Sequence, residues 1–341
     1  MHDLAVIIVS TNEAHWLAGC LPTVFANVGD LEVDVVVVAN GGGDDTRAVV
    51  ESECPRARVV ECENHGFPHA NNRALMTIDA RYVLFLNPDT EIVEGSLAEL
   101  VARMDASPEV GLAGCRQLQP DGELHPTMRR FPTAIRLLME AVGSERWPFR
   151  ASWTGQRLLD LDRYTREIDI DWTSGSFMLA RREALESAGW LDERLFLYCD
   201  DPDLARRIKS AGWTVRHLPQ MLIVHHAGKM GWNARGYAQY AYANRVYFTK
   251  HFDGAHRRAA VLAAATGYGL RALLFPLLRP SEPDAVHAMR AAFLTVIGRT
   301  QPPYEPPPPT AVRPRCMAGG RAGPRSLARA RNDQPRQLIE Q

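Results

Sequence analysis

The sequence lacks the signatures of several common protein classes. Its six cysteines (Cys20, Cys54, Cys62, Cys115, Cys199 and Cys316) are scattered, with no CxxC pair and no zinc-site spacing. They read as reduced thiols of a cytosolic chain, neither a disulfide framework nor a structural metal cage. No clean run of 18 apolar residues occurs. The nearest, AAVLAAATGYGLRALLFPLL at 259–278, is interrupted by Arg271, two glycines and Pro276, which suits a helix lying on a surface better than one spanning a bilayer. A strand-like run has begun by Leu4, leaving no room for a secretory leader. No charge excess exists either: 39 Lys and Arg face 40 Asp and Glu, a formal net charge of -1, so no fold-wide basic face for nucleic acid is expected. P-loop and GxGxxG patterns are missing. ANGGGDD at 39–45 is glycine-rich but has no Lys-Ser/Thr ending.

What is present is an alternation. LAVIIVS (4–10), VDVVVVAN (33–40), ARVVEC (57–62) and YVLFLN (82–87) are strand-like runs. HWLAGCLPTVFANV (15–28), 45–54, 69–79 and SLAELVARMDAS (96–107) have helical spacing. Near-continuous apolar strands separated by helices predict a parallel sheet covered on both faces, an α/β three-layer sandwich of Rossmann-like type. Every polar cluster follows a strand: Thr11-Asn12-Glu13, Asn40 to Thr46, Asn64-His65-Gly66 and Asn87 to Glu91. In such a sheet all four meet at one edge, where open α/β sheets bind ligands.

The second half is different. Residues 120–170 read as irregular, 173–189 as strand then helix, MLIVHHAG (221–228) as strand-like, and 234–300 as mostly helical. From Gln301 the chain becomes PPYEPPPP and then an Arg, Ala, Gly and Pro tail, a composition that cannot bury a core and is expected to be disordered. The expected organisation is a catalytic-type domain over 1–233, a helical extension over 234–300 that rests on a membrane, and a tail over 301–341.

Three clusters carry chemistry, each with a plainer alternative. In YVLFLNPDTEI (82–92) a buried strand runs into Asn87-Pro88-Asp89; this is either turn chemistry or a carboxylate placed for a cation and a phosphate. Asp200, Asp201 and Asp203 open a helix, as dipole-complementing caps or as a general base and its neighbours. His225-His226 ends a strand, as core histidines or as an imidazole ligand. Mg²⁺ or Mn²⁺ prefers oxygen donors and shares them with a diphosphate. Arg129 and Arg130 in MRRFP read first as surface residues and second as phosphate contacts. Trp172 and Trp190 read as core or as sugar-stacking rings.

In order, IIVSTNEA, VVVVANGGGDDT, NHGFPHANNRAL, YVLFLNPDTEI, WTSGSFMLARREALESAGWLDERLFLYCDDPDLARRIKSAGW and VHHAG resemble the family 2 inverting glycosyltransferases of the GT-A fold, in particular the rhamnosyltransferase-like group. The resemblance covers roughly residues 4 to 250. It implies that Ser10, Asn12 and Glu13 meet the nucleotide, that Asn40 and Asp44 hold base and ribose, and that Gly66 and Asn72 lie beside the nucleotide sugar. It implies that Asn87-Pro88-Asp89 stands for the DxD-type motif, with Asp89 and His225 as metal ligands. Gly175 and Asp200 fall on the acceptor side, and Asp201 is the general base. The implied partners are a nucleotide-sugar donor (dTDP-rhamnose by analogy) and a glycan or polyprenyl-diphosphate-linked acceptor. The implied location is cytoplasmic, peripheral on the inner membrane face. Departures from the family pattern are Ala39 in place of an Asp, Asp200 in place of a Glu, Met230 in place of a Ser, and the GGG run at 41–43. They leave open a non-catalytic sugar-nucleotide or glycan-binding homologue. A nucleotidyltransferase is the third reading, against which stands the missing Gly-rich, Lys-containing N-terminal loop.

Overall fold

The computed structural model describes residues 1–144, 154–226, 233–278 and 282–304. Its centre is β1 (His2–Ser10), whose last seven residues are all buried. It pairs in parallel with β2 (Val33–Asn40) on one side and β4 (Ala80–Leu86) on the other, and β2 pairs in parallel with β3 (Arg58–Cys62). Successive side chains of β1 alternate between two cores. Leu4, Val6 and Ile8 pack with α1 (Ala14–Ala26), α2 (Thr46–Glu53) and α4 (Leu97–Ala106). Ala5, Ile7 and Val9 pack with α3 (Phe67–Leu75), α6 (Arg182–Ala188) and α7 (Asp200–Ser210). Burial on both faces is why the strands read as unbroken apolar runs.

The sheet is mixed, not wholly parallel. Its order is β3-β2-β1-β4-β8-β6-β9-β5, with β7 (Ile168–Asp169) beside β9. β8 (Phe177–Arg181) runs antiparallel between β4 and β6 (Val110–Leu118), and β5 (Thr90–Glu94) runs antiparallel to β9 (Thr214–His225). An apolar run buried on both faces carries no mark of strand direction, so the reversal is invisible in the pattern. β5 itself was read as part of a turn. Its neighbour is β9, so Asp89 and His225 arrive side by side: Thr90 is the partner of His225.

The C-terminal region packs α8 (Ala234–His251), α9 (Gly254–Leu278) and α10 (Pro283–Val296) together, and α9 also lies on α5 (Ala134–Ala141). Small residues let these helices approach closely: Ala241, Ala265 and Ala292 form one cluster with Val296, and Gly267 sits against Ala141. The link to α7 and the loop before it is both apolar, through Leu195, Cys199, Tyr247 and Phe248, and ionic. Fully buried Asp203 of α7 accepts hydrogen bonds from Arg207 (2.9 Å) and His251 (2.7 Å), and Lys250 lies 2.7 Å away. Helix α9 is long and apolar enough to cross a membrane, and 28% of its most apolar window is buried. Leu262, Leu273, Leu277 and Leu278 are exposed on it, and Ile135 and Val142 are exposed on or beside α5.

Candidate active site

The loops that follow β1, β2, β3 and β4 converge on a cavity of about 550 Å³, a size typical of small-ligand clefts. It is lined by Asn12, Glu13, Asn40, Gly66, Asn87, Asp89 and His225 among the residues expected there, with Thr11, Asn64, Phe67 and the Phe196–Tyr198 segment. Buried Asn40 donates from Nδ2 to Thr11 Oγ1 (2.9 Å) and Asn64 Oδ1 (3.2 Å), tying the ends of three strands together. Asn12 adopts φ 57° and accepts from Gly43 N–H (3.1 Å). Asn tolerates that left-handed conformation better than most residues.

Three expected donor contacts are placed elsewhere. Ser10 is buried and its hydroxyl lies 3.1 Å from Thr46 Oγ1. Asp44 accepts from Ala14 N–H (2.9 Å) and Thr46 Oγ1 (2.7 Å), so its carboxylate fastens the start of α1. Burial works against ionisation of Asp44, but these hydrogen bonds outweigh it and hold its pKa below the usual value. Buried Asn72 donates to Leu191 O and Glu193 Oε1 (both 2.9 Å) and accepts from Leu191 N–H. Polar side chains that are buried or half-buried must find partners, and these three find them within the protein, away from the cavity lining.

Asp89 and His225 form the cation-binding candidate. Asp89 Oδ1 lies 3.3 Å from His225 Nε2, and Asn87 Nδ2 lies 3.3 Å from the same nitrogen. His226 N–H donates to Asp89 O (2.8 Å), fixing the turn. Octahedral Mg²⁺ has bonds of roughly 2.1 Å, which sets adjacent ligands roughly 3 Å apart. The Oδ1–Nε2 spacing therefore fits two ligands of one ion. Among the described residues no group of three His, Cys, Asp or Glu that could hold a metal occurs. His125 stacks on His225 with centroids 5.8 Å apart. Burial, then the neighbouring His225 and arginines, pushes His125 down to about 4, so it adds no competing charge at neutral pH.

A second cluster lies just past the cavity. The backbone at Tyr198 (φ 70°) and Cys199 (φ 60°) is left-handed at two consecutive non-glycine residues. That costs about 1–3 kcal/mol for each residue and is met mostly where function requires it. The next two residues are Asp200 and Asp201, at the start of α7. Asp201 Oδ2 accepts from Gly175 N–H (3.1 Å). Burial and the adjacent Asp200 raise Asp201 well above the carboxylate range, against the opposing pull of Gly175 N–H and Arg129. Burial pushes Asp200 up to about 6. Helix dipoles favour anions at this end; here desolvation and like charge outweigh that effect. Arg129 and Arg130 are half-buried, not surface residues. Arg129 lies over the Trp172 ring (5.5 Å), its Nε is buried without a hydrogen-bond partner, and its backbone pairs with Trp172.

The two clusters are joined through the sheet. Asn87 N–H donates to Ser176 O (3.1 Å), where β4 pairs with β8, and Gly175 follows Asp201 in that chain of contacts. Gly66 closes the opposite side. At φ 100° a side chain there would be strained, and a Cβ would fall 2.3 Å from Phe196 O. Only glycine lets the β3 loop touch the loop that leads into Asp200–Asp201. Met230, one of the departures from the family pattern, lies outside the described residues.

A mixed α/β sheet with a cation candidate at its strand ends and a carboxylate pair at a helix start beside them matches the architecture of GT-A glycosyltransferases. The description "Glycosyl transferase family 2" fits residues 5–189, more than half of the chain. The protein belongs to that family. It is 32% identical over 206 residues to an N-acetylglucosaminyl-diphospho-decaprenol L-rhamnosyltransferase of Mycobacterium tuberculosis, covering 57% of this chain and 66% of the relative, so it spans just under two thirds of that protein's length. It is 24% identical over 209 residues to the rhamnosyltransferase WbbL of Escherichia coli, covering 55% and 75%. Among solved structures, the mannosyltransferase PcManGT of Pyrobaculum calidifontis, in complex with GDP-Man and Mn²⁺, matches with TM-score 0.54 at 18% identity, covering 88% of each chain. S. aureus TarS in complex with UDP-GlcNAc matches with TM-score 0.51 at 14% identity, covering 86% and 81%. At these identities the structural matches speak to the fold alone.

Proposed function

We propose that the protein is an inverting glycosyltransferase that moves a sugar from a nucleotide donor to a hydroxyl of a lipid-linked glycan. By analogy with its relatives the sugar is rhamnose from dTDP-rhamnose and the acceptor a polyprenyl-diphosphate-linked saccharide. The observation that carries the reading is the placement of a metal-type Asp89–His225 pair and a high-pKa carboxylate, Asp201, on loops linked through Asn87, Ser176 and Gly175.

The division of labour follows from the geometry. Asn40, Asn64 and Thr11 present amides and a hydroxyl to the nucleoside end of the cavity. Asp89 and His225 would hold Mg²⁺ or Mn²⁺, which supplies positive charge to a departing diphosphate. Asp201 accepts the proton of the acceptor hydroxyl as its oxygen attacks the anomeric carbon on the face opposite the leaving group. One displacement inverts the configuration. A raised pKa makes the ionised Asp201 carboxylate a stronger proton acceptor, and such a positioned base contributes roughly 10²–10⁴ in rate. Gly175 N–H fixes the carboxylate's orientation. Arg129, with its unpartnered Nε, is suited to an anionic group of the acceptor.

The exposed leucines of α9 and the apolar residues of α5 support a peripheral membrane contact that brings the enzyme to a lipid-linked acceptor. The testing experiment is a donor panel: dTDP-, UDP- and GDP-sugars with Mn²⁺ or Mg²⁺ and a short polyprenyl-diphosphate-GlcNAc mimic, scored by nucleoside diphosphate release. The proposal expects release from one donor class. Donor-induced thermal stabilisation without release from any donor would favour the binding-only reading.

A further inference from the structure

The cavity has one wall that comes from far outside the family-matched segment. Tyr304 lines it, although residues from 301 onward read as a tail that packs against nothing. Its ring stacks on Phe196, centroids 4.5 Å apart and planes 6° from parallel, and the guanidinium of Arg235 lies 4.9 Å from the same ring's centroid. With Phe196 stacked against the ring, the cation takes the other face. Tyr304 is thus clamped and presents an edge to the cavity, not an open face for stacking a base.

The segment that delivers it is anchored at its start as well. After α10, Gly298 turns the chain at φ 78°, Arg299 N–H donates to Leu294 O (2.8 Å), and the hydroxyls of Thr295 and Thr300 lie 2.9 Å apart. Pro302 and Pro303 follow; fixed φ angles lower the entropy lost when the segment is ordered. Phe196, the ring that Tyr304 covers, accepts Phe67 N–H at its carbonyl (2.8 Å) and touches Gly66. It also lies four residues before Asp200 in the loop with the left-handed backbone. One aromatic contact therefore bears on both the donor side and the base side of the cleft.

We propose that residues 299–304 form a strap that completes the donor cleft, with Tyr304 as a positioning residue that holds Phe196 and the loop leading to Asp201. This rests on the reading of the cavity as a nucleotide-sugar site. An aromatic stack of this kind, combined with a cation on the ring, corresponds to up to about tenfold in binding.

The test measures binding of dTDP, UDP and GDP, each with Mn²⁺, to the full chain by calorimetry. For whichever nucleotide the wild type binds, Tyr304→Ala should weaken affinity about tenfold and Tyr304→Phe, which keeps the ring, less than twofold. Arg235→Gln alters only an exposed side chain and so tests the same clamp if Tyr304→Ala does not fold; it should weaken binding a few-fold. Coupling is reciprocal, so saturating nucleotide should slow tryptic cleavage after Arg299, which a purely structural role would not require. Equal binding by wild type, Tyr304→Ala and Arg235→Gln, or no nucleotide effect on cleavage, overturns the strap's role. Tighter binding by Tyr304→Ala overturns it too and makes the segment a plug. A wild type that binds none of the three removes the donor-cleft reading itself and this inference with it.

Discussion

The two sides of the cleft are built on opposite principles. The donor side is made of strand ends. Its residues keep ordinary backbone angles for the most part, satisfy one another through amides, and offer a carboxylate and an imidazole 3.3 Å apart. The base side is a helix start with two adjacent carboxylates, buried Asp200 and half-buried Asp201, set behind two left-handed residues. One side gathers hydrogen-bonding groups at strand ends; the other holds unfavourable charge and strain. Under the proposed function, binding falls to the first and proton transfer to the second. It also explains why the second needs external bracing, through the Asp203 network to α8 and the Phe196 contact with Gly66.

The largest expected effect breaks that bracing. Asp203→Ala leaves Arg207 and His251 without their buried partner, while Lys250 keeps Asp192 (2.6 Å), and removing one member of such a buried cluster costs about 3–5 kcal/mol. Chemical denaturation should show that loss, together with loosening of α8 from the sheet. Burial works against ionisation of Asp203, but His251, Arg207 and Lys250 hold its pKa below the usual carboxylate value. The stabilisation is therefore in force above that ordinary range and disappears as pH falls through the lowered folded-state value. The mutant's stability deficit should shrink as pH falls below the ordinary carboxylate range. A deficit unchanged down to that region would show that the contribution is packing, not charge.

A smaller change sharpens the contrast. Asp200→Asn removes the like charge beside Asp201, so Asp201 should ionise more easily. The acidic limb of the pH–rate profile should move to lower pH by about one unit, about 1.4 kcal/mol, with donor affinity unaltered. Asp200 itself, raised to about 6, costs the folded state stability as pH rises from the ordinary carboxylate value through 6, so this variant should also be more stable than the wild type above that window. A limb that stays in place would mean that burial alone sets the Asp201 pKa.

The smallest effect lies at the rim. Leu273→Glu with Leu277→Glu replaces two exposed side chains of α9. Sedimentation with anionic lipid vesicles should fall several-fold, in line with loss of buried CH₂ groups. Turnover on a soluble acceptor mimic should remain. Equal sedimentation would remove the membrane reading without touching the cleft.

How much of this was legible in the residues depended on what each had to satisfy. Asn40, Asn87 and Asp89 end buried strands, and a polar residue there has few places to go but the sheet's edge. The cleft lining contains all three. Ser10, Asp44 and Asn72 looked equivalent, but a short side chain beside a helix start or a loop carbonyl is taken up by capping and bracing. Strand direction was hidden because β8 is buried on both faces, and β5 because NPDTEI reads as a turn. The half-burial of Arg129 depends on Trp172, which is distant in the chain and brought there by an irregular segment. Phe196 and Tyr198 had one available signal, two aromatic rings in LFLYCDD directly before the acids. Tyr304 had none, since its neighbours are proline-rich and its partner is more than a hundred residues away.

The division of labour is tested most directly by measuring turnover and donor affinity together for Asp201→Asn and Asp89→Ala. The account predicts that Asp201→Asn loses transfer by about 10²–10⁴-fold yet binds the nucleotide donor with Mn²⁺ as the wild type does, whereas Asp89→Ala loses the metal-dependent part of donor binding. Wild-type turnover by Asp201→Asn, or metal dependence unchanged in Asp89→Ala, would contradict it.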